Sequence, residues 1–288
     1  MTIRIFTDSA AGIQIETLKK YQIETVELTI IWDKNLDQEV DHPTDDLSKF
    51  YNRLTNEIAT TAHPEPERFK VAFREWLEVD DLNEIICITI SKLLSNTYYS
   101  AVLAAQAIDP DGSKITVIDS GIAAMGEGWQ VIEAARAVTL GKTRLEICDK
   151  VYAIREKALV LFKVGDISAL VRGGRIPDVV LAVQNRIGLI PIVVMTNGSK
   201  ARLGAVVLNN RQALKKIAKL AKNNFGDNVS LRASVNYTDC FEEAKKLLEE
   251  LGENLHLVES IIQQPPRVIG VHTGPKGVTG VCLVPASD

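Results

Sequence analysis

Residues 85–101 read Ile85-Ile86-Cys87-Ile88-Thr89-Ile90-Ser91-Lys92-Leu93-Leu94-Ser95-Asn96-Thr97-Tyr98-Tyr99-Ser100-Ala101. The run 85–90 is apolar and β-branched and ends against polar residues, which predicts a buried strand. A hydroxyl-rich turn follows. A helical pattern then runs through Ala101, Val102, Ala104 and Ala105. Ser95 or Thr97 stands where a helix N-cap belongs, and its oxygen can accept from otherwise unpaired backbone N–H groups. A strand that opens into a helix N-terminus at the carboxyl edge of a sheet favours an anion, through outward N–H groups and the helix dipole. The turn 91–97 is therefore expected to hold the acidic head of a ligand.

The same alternation extends on both sides. Upstream, residues 2–6 read as a strand, 14–21 as a helix, 26–32 as a second strand and 48–55 as a helix. Residues 33–46 are polar and turn-rich. Residues 60–66 form a loop stiffened by Pro64 and Pro66. The helix 67–79 carries Phe69, Phe73 and Trp76 on one face. Downstream come a strand at 114–119, an alanine-rich helix at 122–140 closed by Gly141, and a helix at 145–155. Such alternation predicts a parallel, helix-covered sheet.

Beyond residue 160 the pattern changes. A strand at 160–164 precedes a short helical segment, 167–172, that ends at Gly173-Gly174 before Arg175. Apolar runs at 187–195 and 200–208 flank Thr196-Asn197-Gly198-Ser199, and Asn-Gly between apolar runs predicts a hairpin. Helices are read at 211–223 and 240–251, and strands at 231–236, 254–260 and 278–284. The expectation is an α/β protein of two domains. An N-terminal parallel-sheet α/β domain spans 1–160, and a C-terminal α/β domain with a mixed, partly antiparallel sheet spans 161–288. The boundary is read between 156 and 162.

The chain has 288 residues, room for two domains, with 46% hydrophobic and 24% charged residues. Its net charge of −4 and dispersed basic residues argue against a nucleic-acid groove or an anionic membrane face. No window approaches the ~20 apolar residues of a membrane span, so membrane contact is expected to be transient at most. Residues 1–6 carry no apolar leader pattern. Cys87, Cys148, Cys240 and Cys282 are widely spaced, with no Cys-x-x-Cys pair. Reduced thiols in a cytoplasmic protein are expected.

Five polar loops interrupt the apolar pattern: Thr7-Asp8-Ser9, Thr61-Ala62-His63-Pro64, Ser91 to Thr97, Arg172-Gly173-Gly174-Arg175, and Gly270-Val271-His272-Thr273-Gly274-Pro275. Hydroxyls, histidine and arginine suit one carboxylate or phosphate, since hydroxyls donate singly and arginine donates twice from a planar fork. Each loop also has a purely structural reading. Asp8 and Ser9 suit an Asx turn, Ser95 or Thr97 a plain cap, and Gly173-Gly174 a helix end with Arg175 on the last carbonyls. His42 and His256 are read as surface or structural. Gly-x-Gly-x-x-Gly after the first strand and a Gly-Lys-Ser/Thr loop are both absent. No His, Cys or Asp pair has metal-ligand spacing, so no metal and no cofactor are expected. A hydrolase relay of Ser95, His272 and Asp8 would lack the Gly-x-Ser-x-Gly turn.

Taken together and in this order, these loops resemble the DegV family of bacterial fatty-acid-binding proteins. The resemblance rests on Thr7-Asp8-Ser9, Thr61-x-x-Pro64 ahead of Phe69, and above all Ile90-Ser91-x-x-Leu94-Ser95-x-Thr97-Tyr98-x-Ser100-Ala101. Val117-Ile118-Asp119-Ser120, Leu170-x-x-Gly173-Gly174-Arg175-Ile176, Pro191-Ile192 to Asn197-Gly198, and Gly270-x-His272-x-Gly274-Pro275 complete it.

The resemblance implies a long-chain fatty acid in a tunnel between two α/β domains, carried without catalysis by this chain. It implies that Thr61 and Ser95 hydrogen-bond the carboxylate with His272 nearby, and that Arg175 sits by the head group or faces a partner. It further implies, for some members, a separate kinase that converts the acid to an acyl phosphate and supplies the ATP chemistry. Ser91, Asn96 and His63 belong to the same loops and complete the candidate ligand-binding set. The alternatives are a stand-alone acyl hydrolase or phosphotransferase, or a regulatory protein with a degenerate lipid site. The chain departs from the family pattern at Ala62 and His63 (usually serine and glutamine), Lys92 (serine), Asn96 (glycine) and Lys276 (glycine). The added lysine and histidine lead to the expectation of a more anionic head group.

Overall fold

The computed structural model describes residues 2–42, 47–165, 167–176 and 189–286. Four short apolar strands form the first sheet: β1 (Ile3–Asp8), β2 (Glu24–Val26), β6 (Glu84–Thr89) and β7 (Ile115–Asp119), in the order β2-β1-β6-β7. All pairs are parallel, with Ile5 opposite Ile86 and Cys87 opposite Val117. Each strand but the edge strand β2 is largely buried, as a sheet covered on both faces demands.

Three strands expected as one strand and two loops form a second, antiparallel sheet in the order β4-β3-β5: β3 (Thr29–Trp32), β4 (Asp37–Val40) and β5 (Ala59–Ala62). The strand read at 26–32 is thus two strands in two sheets, because the chain leaves β1 at Val26 and pairs with β5 from Thr29. The loop read at 60–66 begins as a strand for the same reason. Partners from a distant segment satisfy its backbone, which local turn chemistry does not reveal. The end of the polar stretch 33–46 lies outside the described residues.

The third sheet has six strands in the order β10-β9-β8-β13-β11-β12. They are β8 (Leu159–Lys163), β9 (Ile190–Thr196), β10 (Arg202–Val207), β11 (Ser230–Tyr237), β12 (His256–Gln263) and β13 (Thr279–Pro285). β11 and β12 run parallel, and the other pairs are antiparallel. The Asn197-Gly198 turn joins β9 to β10 as read, with Gly198 at φ 64°, a left-handed geometry that glycine adopts without strain. Ile187 and Gly188, the start of the run read at 187–195, lie outside the described residues.

Helices stack between and outside the two larger sheets. They are α1 (Ile15–Tyr21), α2 (Ser48–Asn56), α3 (Pro66–Leu77), α4 (Thr97–Ile108), α5 (Met125–Thr139), α6 (Arg144–Lys157), α7 (Ser168–Arg172), α8 (Asn210–Phe225), α9 (Phe241–Asn254) and α10 (Arg267–Thr273). Phe69 and Phe73 of α3 and Ala101 and Ala104 of α4 pack on one face of the first sheet. α8 and α9 cover the outer face of the six-stranded sheet. α5 and α6 lie between the sheets, in one core holding Ile86 and Ile88 on one side and Val160, Phe162 and Cys282 on the other. α5 is buried nearly all round, as a helix between two sheets must be. Its Gly128 is required there, since a Cβ would come within 2.6 Å of the Ala11 carbonyl.

The chain passes from the first sheet's helices to the six-stranded sheet at Ala158, between α6 and β8. Across that passage runs a charged clamp. Glu133 of α5, 1% exposed, pairs with Arg136 at 2.9 Å, Lys150 of α6 at 3.1 Å and Arg232 of β11 at 3.4 Å. Arg136 also grips Glu259 of β12 with two bonds of 2.7 Å. All four cysteines are free thiols, and Cys87, Cys148 and Cys282 are buried. Among the described residues, no helix is long and apolar enough to cross a membrane.

Candidate functional site: an apolar cavity with a polar mouth

Where the carboxyl edge of the first sheet meets the inner face of the six-stranded sheet and α10, the side chains leave a cavity between them. Ala10, Ile90 and Ala124 bound it on the first side, Val160, Phe162, Met195 and Cys282 on the other, and Val268 and Ile269 along α10. These walls are apolar. Thr61, Ser95, Arg175 and His272 are also in the lining, and a chain of contacts ties them together at one end.

Thr61 sits on β5 opposite Ile30, and His272 on the last turn of α10. The Thr61 hydroxyl and His272 Nε2 are 2.9 Å apart. α10 is pinned from outside. The Tyr51 hydroxyl donates to the Pro265 carbonyl at 2.9 Å, and Arg267 Nε donates to Asp41 at 2.9 Å. Gly270 lets the helix lie against Tyr51, where a Cβ would come within 2.7 Å of the hydroxyl. The other imidazole nitrogen, Nδ1, faces Gly173, with room for no added Cβ. Arg175 then closes the circuit, donating to the Gly173 carbonyl and, from Nε at 3.2 Å, to the carbonyl of Leu94 beside Ser95.

The turn 91–97 is held from below. Asp8 accepts from Ile90 N–H at 2.8 Å and from Ala10 N–H at 2.9 Å, so it braces the first loop against the turn. Burial pushes its pKa up to about 7. The N-cap position of α4 is Asn96, whose side chain makes no capping bond. Ser95, one residue earlier, accepts from Thr97 N–H at 3.3 Å and lies 2.9 Å from the Thr97 hydroxyl. The cap and the turn 91–97 are therefore one structure.

His272 is pushed down to about pKa 4 by burial first, then by the positive charges of Arg175 and Arg172. At neutral pH it is an uncharged imidazole. It can donate from Nε2 to Thr61 and leave the threonine proton free for an anion.

Of the seven residues read as ligand-binding, four share the mouth. Ser91 is buried inside the turn, where its hydroxyl accepts from Leu93 N–H at 3.3 Å. Asn96 and His63 are exposed, and neither lines the cavity. Lys92 turns to Asp119, 3.7 Å away, and lies over the Tyr98 ring. Neither Lys92 nor His63 is among the residues lining the cavity. The hydrolase relay is not assembled. His272 meets Thr61 rather than Ser95, and both Asp8 oxygens are taken by backbone N–H groups. Two contributors escaped the sequence reading: Gly173 as the seat of His272, and Asn236, which lines the cavity from β11. The only trace of Asn236 in the sequence is a polar residue closing an apolar strand.

Fold and cavity define a class: a three-sheet α/β protein with an apolar chamber under a hydroxyl, imidazole and guanidinium mouth. The chain belongs to the DegV family, whose model matches residues 2–286. A DegV domain-containing protein of Clostridium perfringens is 30% identical over 283 residues, 96% of this chain and 97% of that one. A DegV lipid-binding protein of Thermotoga maritima has the same fold, with a TM-score of 0.89 at 24% identity over 100% and 99% of the two chains. A stearic acid-binding protein of Eubacterium ventriosum matches with a TM-score of 0.85 at 26% identity, over 99% and 98%.

Proposed function

We propose that this chain binds a long-chain fatty acid, with the tail in the cavity and the carboxylate at Thr61, Ser95 and His272. In this reading residues 1–160 and 161–288 act as two domains that wall the tunnel, and the protein is a cytoplasmic carrier without catalysis of its own. The observation that carries it is a mainly apolar lining in which Thr61, Ser95, Arg175 and His272 gather at one end. Thr61, Ser95, Arg175 and His272 are all partly exposed, whereas Ala10, Val281 and Cys282 deeper in the wall are at most 2% exposed. A carboxylate at the mouth with its chain inside matches that gradient. The E. ventriosum relative supports the ligand class.

The energetics are adequate. Burying ~14 methylenes at ~0.8 kcal/mol each contributes roughly 11 kcal/mol before ordering costs. The hydroxyls of Thr61 and Ser95 donate to the carboxylate, with the Thr61 proton freed by His272. Arg175 already holds two backbone carbonyls, so it acts on the carboxylate chiefly through its charge. A head group at the mouth is also where a separate kinase would meet it to form the acyl phosphate.

Native mass spectrometry with lipid extraction tests the reading. A co-purifying fatty acid that Ser95→Ala releases more readily is the expected result. A protein that neither retains nor takes up any fatty acid would overturn it. Handover is tested by adding ATP and a fatty acid kinase and assaying acyl phosphate.

A further inference from the structure

We propose that Asp119 is a positioning residue for the carboxylate site: from the end of β7 it caps the turn 91–97 and so sets where the Ser95 hydroxyl stands. The inference rests on the fatty-acid reading above and adds to it a residue that does not touch the ligand.

Asp119 is the last residue of β7 and pairs with Thr89, the last residue of β6, so the sheet sets it beside the chain as it leaves β6 for the turn. None of residues 117–120 lines the cavity. The Asp119 side chain is 8% exposed, and both of its oxygens are in use. Oδ1 accepts from Lys92 N–H at 3.2 Å and from Gly121 N–H at 2.9 Å. Oδ2 lies 3.4 Å from a guanidinium nitrogen of Arg155 and 3.7 Å from Lys92 Nζ. One carboxylate therefore holds Lys92 both by its backbone and by its ammonium group.

That grip reaches Ser95 through the backbone. Residues 91–95 form one turn of helical type, in which Leu94 N–H and Ser95 N–H both donate to the Ser91 carbonyl, at 2.9 and 3.1 Å. The first N–H groups of such a turn have no backbone partner inside it and need one from elsewhere. Ser91 N–H donates to the Ile122 carbonyl at 2.8 Å, Leu93 N–H to the Ser91 hydroxyl at 3.3 Å, and Lys92 N–H to Asp119. Asp119 is the acceptor of these three that carries a charge, and a charge-assisted bond is stronger than a neutral one. At the far end of the turn the Leu94 carbonyl accepts from Arg175, and Ser95 lies against Thr97. An anion at the start of the turn and a cation at its end match the polarity of its backbone dipoles. Thr61 takes its place from β5 and His272 instead, so Asp119 governs one half of the carboxylate site and leaves the other alone.

The test is a pair of double-mutant cycles on the full-length protein stripped of lipid. Displacement of a fluorescent fatty acid by stearic acid reads each affinity. Asp119→Ala should lower the affinity roughly threefold to tenfold, and no more than Ser95→Ala does, because it misplaces a hydroxyl that Ser95→Ala removes. Asp119→Ala combined with Ser95→Ala should bind no more weakly than Ser95→Ala alone. Combined with Thr61→Val, its loss should add in full to that of Thr61→Val. Asp119→Glu keeps the charge but moves the acceptor, and it runs both cycles with the same expected pattern if melting shows Asp119→Ala to be unfolded. In whichever variant carries the cycles, wild-type affinity, or a loss that adds to that of Ser95→Ala, would overturn the inference and leave the fatty-acid reading standing. So would equal coupling to Ser95 and Thr61, the mark of a general loosening of the fold. Wild-type affinity in Ser95→Ala would overturn the head-group assignment and this inference with it.

Discussion

The Thr61 hydroxyl and the His272 imidazole, 211 residues apart in the chain, meet at 2.9 Å. That contact joins β5 of the small sheet to α10 and sets the direction in which Thr61 can donate. With the ring uncharged, Nε2–H can serve the threonine oxygen, and the threonine proton can serve a carboxylate. The mouth is thus a relay of orientation rather than a set of independent donors.

Loss of either hydroxyl should weaken fatty-acid binding with little change in folding. A hydrogen bond to a charged group contributes about 1.5–3 kcal/mol, so Ser95→Ala and Thr61→Val should each lower affinity by roughly tenfold or more. Fluorescent fatty-acid displacement measures this, with thermal melting as the control. Unchanged affinity in both variants would remove the head-group assignment.

Gly173→Ala separates binding from stability. Gly173 has φ −72° and ψ −12°, an ordinary helical geometry, so alanine meets no backbone strain and favours the helical turn by up to about 1 kcal/mol. Its Cβ would nonetheless stand 2.7 Å from His272 Nδ1, so the ring must shift. Reduced affinity at an unchanged or higher melting temperature is expected. Wild-type affinity would mean that the position of the ring does not matter.

Acid should weaken the fold through His272. Its pKa falls from 6.5 to about 4 on folding. Between those values the unfolded chain binds more protons, so the stabilisation by neutral His272 is present above about pH 6.5 and is lost as pH falls toward 4. The loss is at most about 3 kcal/mol, since the ring keeps some solvent contact. Asp8 and Asp41 act in the opposite sense. Their pKa values are raised to about 7 and about 6, so their contribution is present at low pH and is lost as pH rises through those values. Denaturant titrations of wild type and His272→Gln isolate the histidine. The stability gap between them should shrink steadily from pH 7 to pH 4, and a constant gap would contradict the assignment.

The charged clamp should prove costly to open. Glu133→Gln leaves Arg136, Lys150 and Arg232 around a neutral amide at a position 1% exposed. Breaking a buried pair from one side costs roughly 3–5 kcal/mol, so a drop of that size in chemical denaturation is expected. A loss below about 1 kcal/mol, the range of surface pairs, would show that the cluster is solvated.

Much of this was already legible in the chain. Apolar periodicity in 85–90 and 114–119 determined two buried parallel strands, and Asn197-Gly198 determined a hairpin, because strand burial and turn geometry are local properties of a few neighbouring residues. The loops carrying Thr61, Ser95, Arg175 and His272 were recognisable as polar interruptions between such elements. Packing decided the rest. It split 26–32 between two sheets, made a strand of 59–62, and turned Lys92 away to Asp119. It also separated Ser91, Asn96 and His63 from the four residues that share the mouth. Those outcomes depend on which distant backbone or side chain arrives alongside. Asn236, a polar residue at the end of an apolar strand by sequence, becomes an unpaired acceptor in a cavity wall only once β13, β11 and α10 close around it.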